Sequence, residues 1–599
     1  MFSPCRRKRR ADSLTQALLA LLAFSAGGRL HAEAFRICAE PDNLSMSQES
    51  TASGFEIETA RILAAEMGQP LAITWLAQRD HAYFRQTIGK GHCDAIMEVL
   101  GPDLYNQFFT MHGTAMMFLF AVPMVEGMMI YLVPLMVGSR IIAFPRLNAF
   151  SYWVYLFGGL FIWFAFFINS GPDAGWFSYP PLAGPEFSPG KRVDVYAQMI
   201  TFTELAALAV AVEIIVTILK FRAPGMTPGR MPVFLWASLV TCLMIVWSMP
   251  AVVTTSTFLI LDRLVGTHFF NPAEGGDALL WQHLYWYFAH PEVYIIFLPS
   301  VGLASHVIET FCRRPIFGYP AIVLSLVAQG ILSFGLWVHH MYATGLPRVG
   351  SSFFEASSLS IAIPSGTFIF CWLATIATGR IRLAVPMLWI VSFFIIFLLG
   401  GFSGVMLGSV PLDLQITDTY ALPSHLHLVL IGGAVAPLIA AWWFWFPKFT
   451  GRVLDEKLGY WQWALFLLGS LMTFIPMFLL GLSGMTRRVY TYSHAMGWDL
   501  LNLLASIGAW SIGLRGTQAF MVIEGLAFAF AFGIATYLYL YNQNKTWPLG
   551  PQLPLLWPIL MSLVMPGIFI IEFACRGSRN LNLRCRHAVT LNVAAAEEF

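Results

Sequence analysis

An all-α polytopic membrane protein is the fold class the sequence predicts, and three observations predict it. Of 599 residues, 57% are hydrophobic, 15% aromatic and only 11% charged, against about 25% charged in a soluble domain. Mean hydropathy is +0.66. From Phe108 onward, apolar runs follow one another across short loops. Roughly thirteen of them reach the length of about twenty residues that a helix needs to cross a bilayer.

The chain opens differently. MFSPCRRKRR precedes a short apolar run, Leu14–Ala26, the pattern of a secretory signal over residues 1–32 with cleavage near Ala32; an uncleaved anchor is the alternative. Residues 33–100 alternate strand-like and helix-like patterns and form a small α/β segment that resembles the opening lobe of periplasmic solute-binding proteins. It is too short to close a two-lobed cleft, so no binding activity is assigned to it.

Charge gives the orientation. The first, third, fifth, seventh and ninth loops between spans hold Arg140, Arg146, Lys220, Arg222, Arg230, Arg313, Arg314, Arg380, Arg382, Lys448, Arg452 and Lys457. The intervening loops hold fewer, mainly Lys191, Arg192, Arg263, Arg348, Arg487 and Arg488. The richer set is cytoplasmic by the positive-inside rule, which puts residues 33–100 outside, in agreement with the signal. With a net charge of +2 and no basic face, composition offers nothing to nucleic acid. The eight cysteines include no CxxC pair, which argues against a thiolate metal site or a disulfide scaffold.

Six histidines fall within apolar spans: His112, His290, His339, His340, His425 and His427. An ionisable group there is costly and functional by default. Hydrogen-bonded packing is an alternative for any one of them, but six together point to metal ligation, since neutral imidazole is the common ligand of iron and copper. In SHLHLVL, His425 and His427 diverge by about 200° on a helix, so they suit two different centres on either side of it. In HPEVY, His290 and Tyr294 are four apart and share a face. Adjacent His339 and His340 in WVHHMY can meet at one metal only if the local backbone adapts.

At these residues the sequence resembles subunit I of the heme–copper oxidases. The likeness covers roughly 101–515 and runs through FTMHG, AFPRLN, WQHLYWYFAHPEVY, WVHHMYATGL, IPSG, DTYALPSHLHLVL and GLSGMTRRVYTY, in the family's order. The resemblance implies a subunit I helical bundle with two hemes and one copper ion. In it His112 and His427 would be axial ligands of a low-spin heme, and His425 the proximal ligand of a high-spin heme. His290, His339 and His340 would hold the copper, and Tyr294 matches the tyrosine cross-linked to His290. Arg487 and Arg488 match a pair facing heme propionates, and Glu292 an internal proton relay. The chemistry it implies is reduction of dioxygen to water, for which iron, copper and tyrosine supply four electrons nearly together. Implied partners are subunit II with its dinuclear copper, subunit III, cytochrome c and the lipid of a bacterial-type inner membrane; quinol is the other candidate donor.

The pattern also departs from the family. The aspartate at the mouth of one proton channel aligns with Ile141, and the lysine of the second with Phe368, neither of which can exchange a proton. At the magnesium position the usual His-Asp pair is Thr417-Asp418, while Ser365 and Asn148 are kept. The family's first transmembrane helix is missing, its place taken by the periplasmic-like segment. Residues 516–574, with Glu524 mid-span, resemble the opening of subunit III, and 575–599 read as a polar tail. Four other readings stand beside the oxidase: a nitric oxide reductase-like relative, against which Tyr294 argues; an inactive, truncated or fused oxidase-like paralogue; an ion transporter lined by Glu204, Glu213 and Glu292; and, for the fusion itself, a gene rearrangement or assembly error.

Overall fold

In the computed structural model of the chain, the described residues are scattered positions from Ala34 to Ile96, and 102–515 apart from Tyr490, Thr491 and Ser493. The subunit III-like segment and the polar tail lie outside them. The chain divides into two compact units between Gly101 and Pro102. In the first, apolar segments β1 (Phe35–Ala39), β2 (Leu71–Trp75) and β3 (Ala95–Ile96) form a parallel sheet of order β2-β1-β3. Phe35 pairs with Leu71, and Ile37 with Ile73 on one side and Ala95 on the other. Ile37, Ile57 and Ala60 are its buried centre.

The second unit is a bundle of helices. Among the described residues, ten are long and apolar enough to cross a membrane: α1 Tyr105–Val137, α2 Pro145–Phe167, α3 Arg192–Lys220, α4 Val233–Leu264, α5 Ala278–Cys312, α6 Tyr319–Thr344, α7 Arg348–Thr378, α8 Val385–Gly408, α9 Ala421–Lys448 and α10 Glu456–Leu482. An eleventh, α11 (Asp499–Arg515), is shorter. Further runs counted toward thirteen fall in 516–574, outside the described residues. This is a multi-pass membrane protein, and the cation-rich loops fall at one end of the bundle, after α1, α3, α5, α7 and α9.

Local sequence sets the helix ends. Asp277 and Asp455 cap α5 and α10 by accepting backbone N–H groups, and Pro145 starts α2, where its missing N–H costs nothing. The α5 helix is the most enclosed of the ten and carries His290, Glu292 and Tyr294. Outer helices α2 and α7 instead turn Trp153, Phe157, Phe164 and Phe370 outward, as a lipid-facing surface requires. Beside the histidines of interest the backbone departs from α geometry. Seven residues after His112 (Ala115–Ala121) and five after His427 (Ile431–Val435) are π-helical, and Trp337–Thr344 winds as a 3₁₀ helix. Such irregular turns concentrate at functional sites.

The loop between α2 and α3 is tied down by Arg263 at the end of α4. Its guanidinium, 2% exposed, pairs with Asp194 at 2.6 Å and donates to the carbonyls of Ala183, Ser188 and Gly190. The same loop bears Trp176 and Phe177, whose carbonyls accept from Tyr285 (3.0 Å) and Trp281 (2.9 Å). Replacing Arg263 with Met strands a buried carboxylate and three carbonyls. Arg263→Met is therefore expected to lose about 3–5 kcal/mol of stability, read as a lowered thermal midpoint in detergent.

Candidate metal centre

Three imidazoles converge. The ligand atoms of His290, His339 and His340 all lie within 4.8 Å of one another, and among the described residues theirs is the group of this kind that could hold a metal ion. His290 Nδ1 stands 3.1 Å from His340 Nε2, near the roughly 3.3 Å that separates two nitrogens bound tetrahedrally at about 2.0 Å to one ion. The 3₁₀ winding of Trp337–Thr344 supplies the backbone adaptation that adjacent histidines need. Two of the rings are held from behind: His339 Nδ1 bonds the Ser358 hydroxyl at 2.9 Å, and His340 stacks on Trp286 at 3.8 Å and 6°. Trp286 in turn donates to the Tyr179 hydroxyl. The other nitrogen of His290, Nε2, is buried without a partner, with the Tyr294 ring 4.8 Å away, as their four-residue spacing predicts.

His425 and His427 do point to different neighbours. His425 Nδ1 lies 3.1 Å from the Gly400 carbonyl and 2.9 Å from Ser403 Oγ. A carbonyl only accepts, so Nδ1 carries the proton and Nε2 is left with its lone pair. This is the outer support that metal-bound histidines ordinarily have. Gly400 makes it feasible: a Cβ there would stand 2.8 Å from Val429 Cγ1, so α8 can approach α9 this closely only without a side chain. His425 is also within electrostatic reach of His290, His339 and His340.

His427 turns the other way. Its Nδ1 donates to the Pro423 carbonyl at 2.7 Å, again freeing Nε2. Across from it stands His112 of α1, with ring centroids 6.2 Å apart and planes within 12°. Two imidazoles gripping one ion need about 6.3 Å between centroids: about 2 Å from metal to each nitrogen, and just over 1 Å from each nitrogen to its ring centre. The spacing of the pair matches that of a bis-histidine iron site.

A positively charged cluster packs against α1 one turn before His112, where Arg488 lies over Phe109. Two loops run antiparallel through a Thr419–Thr486 bridge, with Tyr420 N–H donating to Met485 and Arg487 N–H to Asp418. That register brings Arg487 onto Asp418 at 2.5 Å. Arg487 Nε and Arg488 Nε and Nη2 remain buried without acceptors, packed over Phe177. Burial, with the neighbouring Arg487 charge, lowers Arg488 to about 10. Two guanidiniums against one carboxylate leave a positive charge and several donors open, the donor set a heme propionate suits. Below it, burial and the Asp418 charge push Asp413 up to about 7.

The remaining site residues are placed as follows. Glu292 is fully buried and neither carboxyl oxygen has a partner. Ile141 is exposed in its loop, whereas Phe368 is fully buried between Phe297 and Trp372. Ser365 accepts from Gln329 at 3.1 Å, and Asn148 donates to Glu213 at 2.9 Å. Sequence reasoning missed Ser358, Ser403, Gly400 and Trp286, the supports behind the histidines. Only Trp286 carried a signal, four residues before His290 on the same helical face.

Imidazoles in this constellation, inside apolar helices, could hold metal ions within a membrane protein. Residues 64–511 match the family described as "Cytochrome C and Quinol oxidase polypeptide I". The chain belongs to that family, whose members normally bind hemes and copper. It is 42% identical over 415 residues to quinol oxidase subunit 1 of Bacillus subtilis, covering 69% of this chain and 64% of that one. With the putative cytochrome c oxidase subunit 1-beta of Streptomyces coelicolor it shares 44% over 420 residues, 70% of this chain and 73% of the relative. This chain thus spans less than two thirds of the Bacillus relative. A cryo-EM structure of a heme-copper terminal oxidase dimer has the same fold, with a TM-score of 0.59 at 17% identity, covering 76% of this chain and 78% of that one. The family match begins inside 33–100, and these comparisons lend no support to the solute-binding-like or subunit III-like readings of the chain's ends.

Proposed function

We propose that this chain is the core subunit of a terminal respiratory oxidase that reduces dioxygen to water in a bacterial inner membrane. Two imidazole constellations side by side support this best: a pair spaced for a six-coordinate iron, and a trio converging beside a third iron ligand. On this reading His112 and His427 hold the low-spin heme, His425 the high-spin heme, and His290, His339 and His340 the copper. Bound there, the hemes and copper supply the electron transfer and the oxygen-reducing centre. The chain's own residues orient them. The Gly400 carbonyl fixes the His425 tautomer and the Pro423 carbonyl that of His427, while Ser403 and Ser358 hold the His425 and His339 rings in place. Arg487 and Arg488 bind propionates, Tyr294 gives a proton and an electron, and Glu292 moves protons. Asp418, engaged by Arg487, sits at the magnesium position.

Electrons enter from cytochrome c through subunit II. Relatives named for cytochrome c and for quinol match stretches of similar length at the same 42% identity, so quinol is the second donor reading. On this reading residues 33–100 are extracytoplasmic, as the positive-inside rule implies. The test is heme and metal analysis of the purified protein. Two hemes and one copper per chain are expected, with oxygen consumption from a reduced donor. A chain with no Soret band would instead favour the ion-transporter reading.

A further inference from the structure

Among the described residues four glutamates are buried in the bundle: Glu126 on α1, Glu204 and Glu213 on α3, and Glu292 on α5. Each has at least one enclosed carboxyl oxygen without a hydrogen-bond partner. Glu204 is 3% exposed and Glu213 and Glu292 are fully enclosed. Unsatisfied carboxyls among apolar helices cost several kcal/mol each, and packing alone gives no reason to keep them.

Their depths form a series. Counting from the ends of α1, α3 and α5 at the cation-rich face, Glu213 lies about 10 Å in, Glu126 about 16 Å, Glu204 about 24 Å and Glu292 about 30 Å, at 1.5 Å per residue. Glu204 and Glu213 are nine residues apart, so they project from opposite faces of α3 and neither can hand a proton to the other directly. Glu126 closes that gap from a neighbouring helix: α1 packs on both α3 and α5, and Glu126 is near enough for its charge to act on Glu204 and for that of Glu213 to act on it. Glu204 in turn feels the charge of Glu292. At the outer end, partly exposed Asn148 donates to Glu213.

We propose that Glu213, Glu126 and Glu204 are a carboxylate ladder that carries protons from the cation-rich face to the neighbourhood of Glu292, in place of the two entrances closed by Ile141 and Phe368. Each rung takes a proton on one oxygen and releases one from the other, so its charge is restored after every transfer. Ordered water or hydroxyls span the intervals. The ladder rests on the oxidase reading, because only a proton-consuming centre beside Glu292 gives it a destination.

The test uses the assembled enzyme in liposomes and single variants Glu126→Gln, Glu204→Gln and Glu213→Gln. Turnover and dye-detected proton uptake are expected to fall about tenfold or more, with heme and copper content unchanged. Glu204→Asp should recover part of the rate, and Ile141→Asp should rescue Glu213→Gln by restoring an acid at the old entrance, which a purely structural defect would not permit. Independently of turnover, the infrared band of protonated carboxyls should lose intensity in each Gln variant. Parental rates in all three variants, or a parent without that band, overturn the ladder. A parent lacking heme and oxygen consumption overturns the oxidase reading instead.

Discussion

His425→Ala is expected to abolish oxygen reduction while leaving the low-spin heme absorbance largely intact. The reason lies in how α9 distributes its two histidines. His425 leans on α8 through Gly400 and Ser403 and faces the three-histidine group. His427 faces His112 and stacks on Phe474 of α10 at 5.1 Å. Neither the His112–His427 pair nor the Pro423 bond that orients His427 touches the His425 ring, so removing it deletes one centre only. The loss in turnover should be complete to within the background of the assay, because no other described imidazole stands where His425 does. Absorbance spectra of the reduced protein, with heme extracted and counted, check the prediction. Disappearance of both heme signals together would contradict the division of roles between the two histidines. Ser403→Ala is the milder companion, expected to weaken the same site by about 10–100-fold without emptying it, as outer-support changes do.

Much of this was legible in the sequence because membrane burial imposes strong rules. A run of twenty apolar residues has few alternatives to a helix, and a histidine inside it needs a reason. The opposed faces of His425 and His427 and the shared face of His290 and Tyr294 follow from helical period alone. Three other features did not. The 6.2 Å, near-parallel spacing of His112 and His427 joins residues on the first and ninth spans, and no periodicity within either helix encodes it. The supports behind the rings, Ser358, Ser403 and the Gly400 carbonyl, are ordinary residue types whose role depends on which helix packs where. The acidic ladder was only half visible. Glu204, Glu213 and Glu292 read as membrane-buried acids, but Glu126, which links α3's two opposed faces, gained its meaning only from the packing of α1.

His339→Ala is expected to remove copper and oxygen reduction together while both hemes are retained, giving the second large loss. A metal held by three imidazoles loses a third of its protein ligands in this variant. The remaining two, His290 and His340, stand 3.1 Å apart and would keep only a weakened grip. Repair by the neighbours is blocked. Trp286 pins His340 by stacking, and the fully wound α5 fixes His290, so neither ring can swing into the gap. Heme binding should survive because His112, His427 and His425 lie on α1 and α9, whereas His339 lies on the 3₁₀ segment of α6. Elemental analysis against heme content measures the effect: copper per heme should fall to near zero in His339→Ala and only partly in Ser358→Ala, where the ring is present but free to turn. Equal copper in parent and His339→Ala would mean that the three-histidine group is a packed hydrogen-bond cluster, and the oxygen-reducing centre would then have to be sought elsewhere.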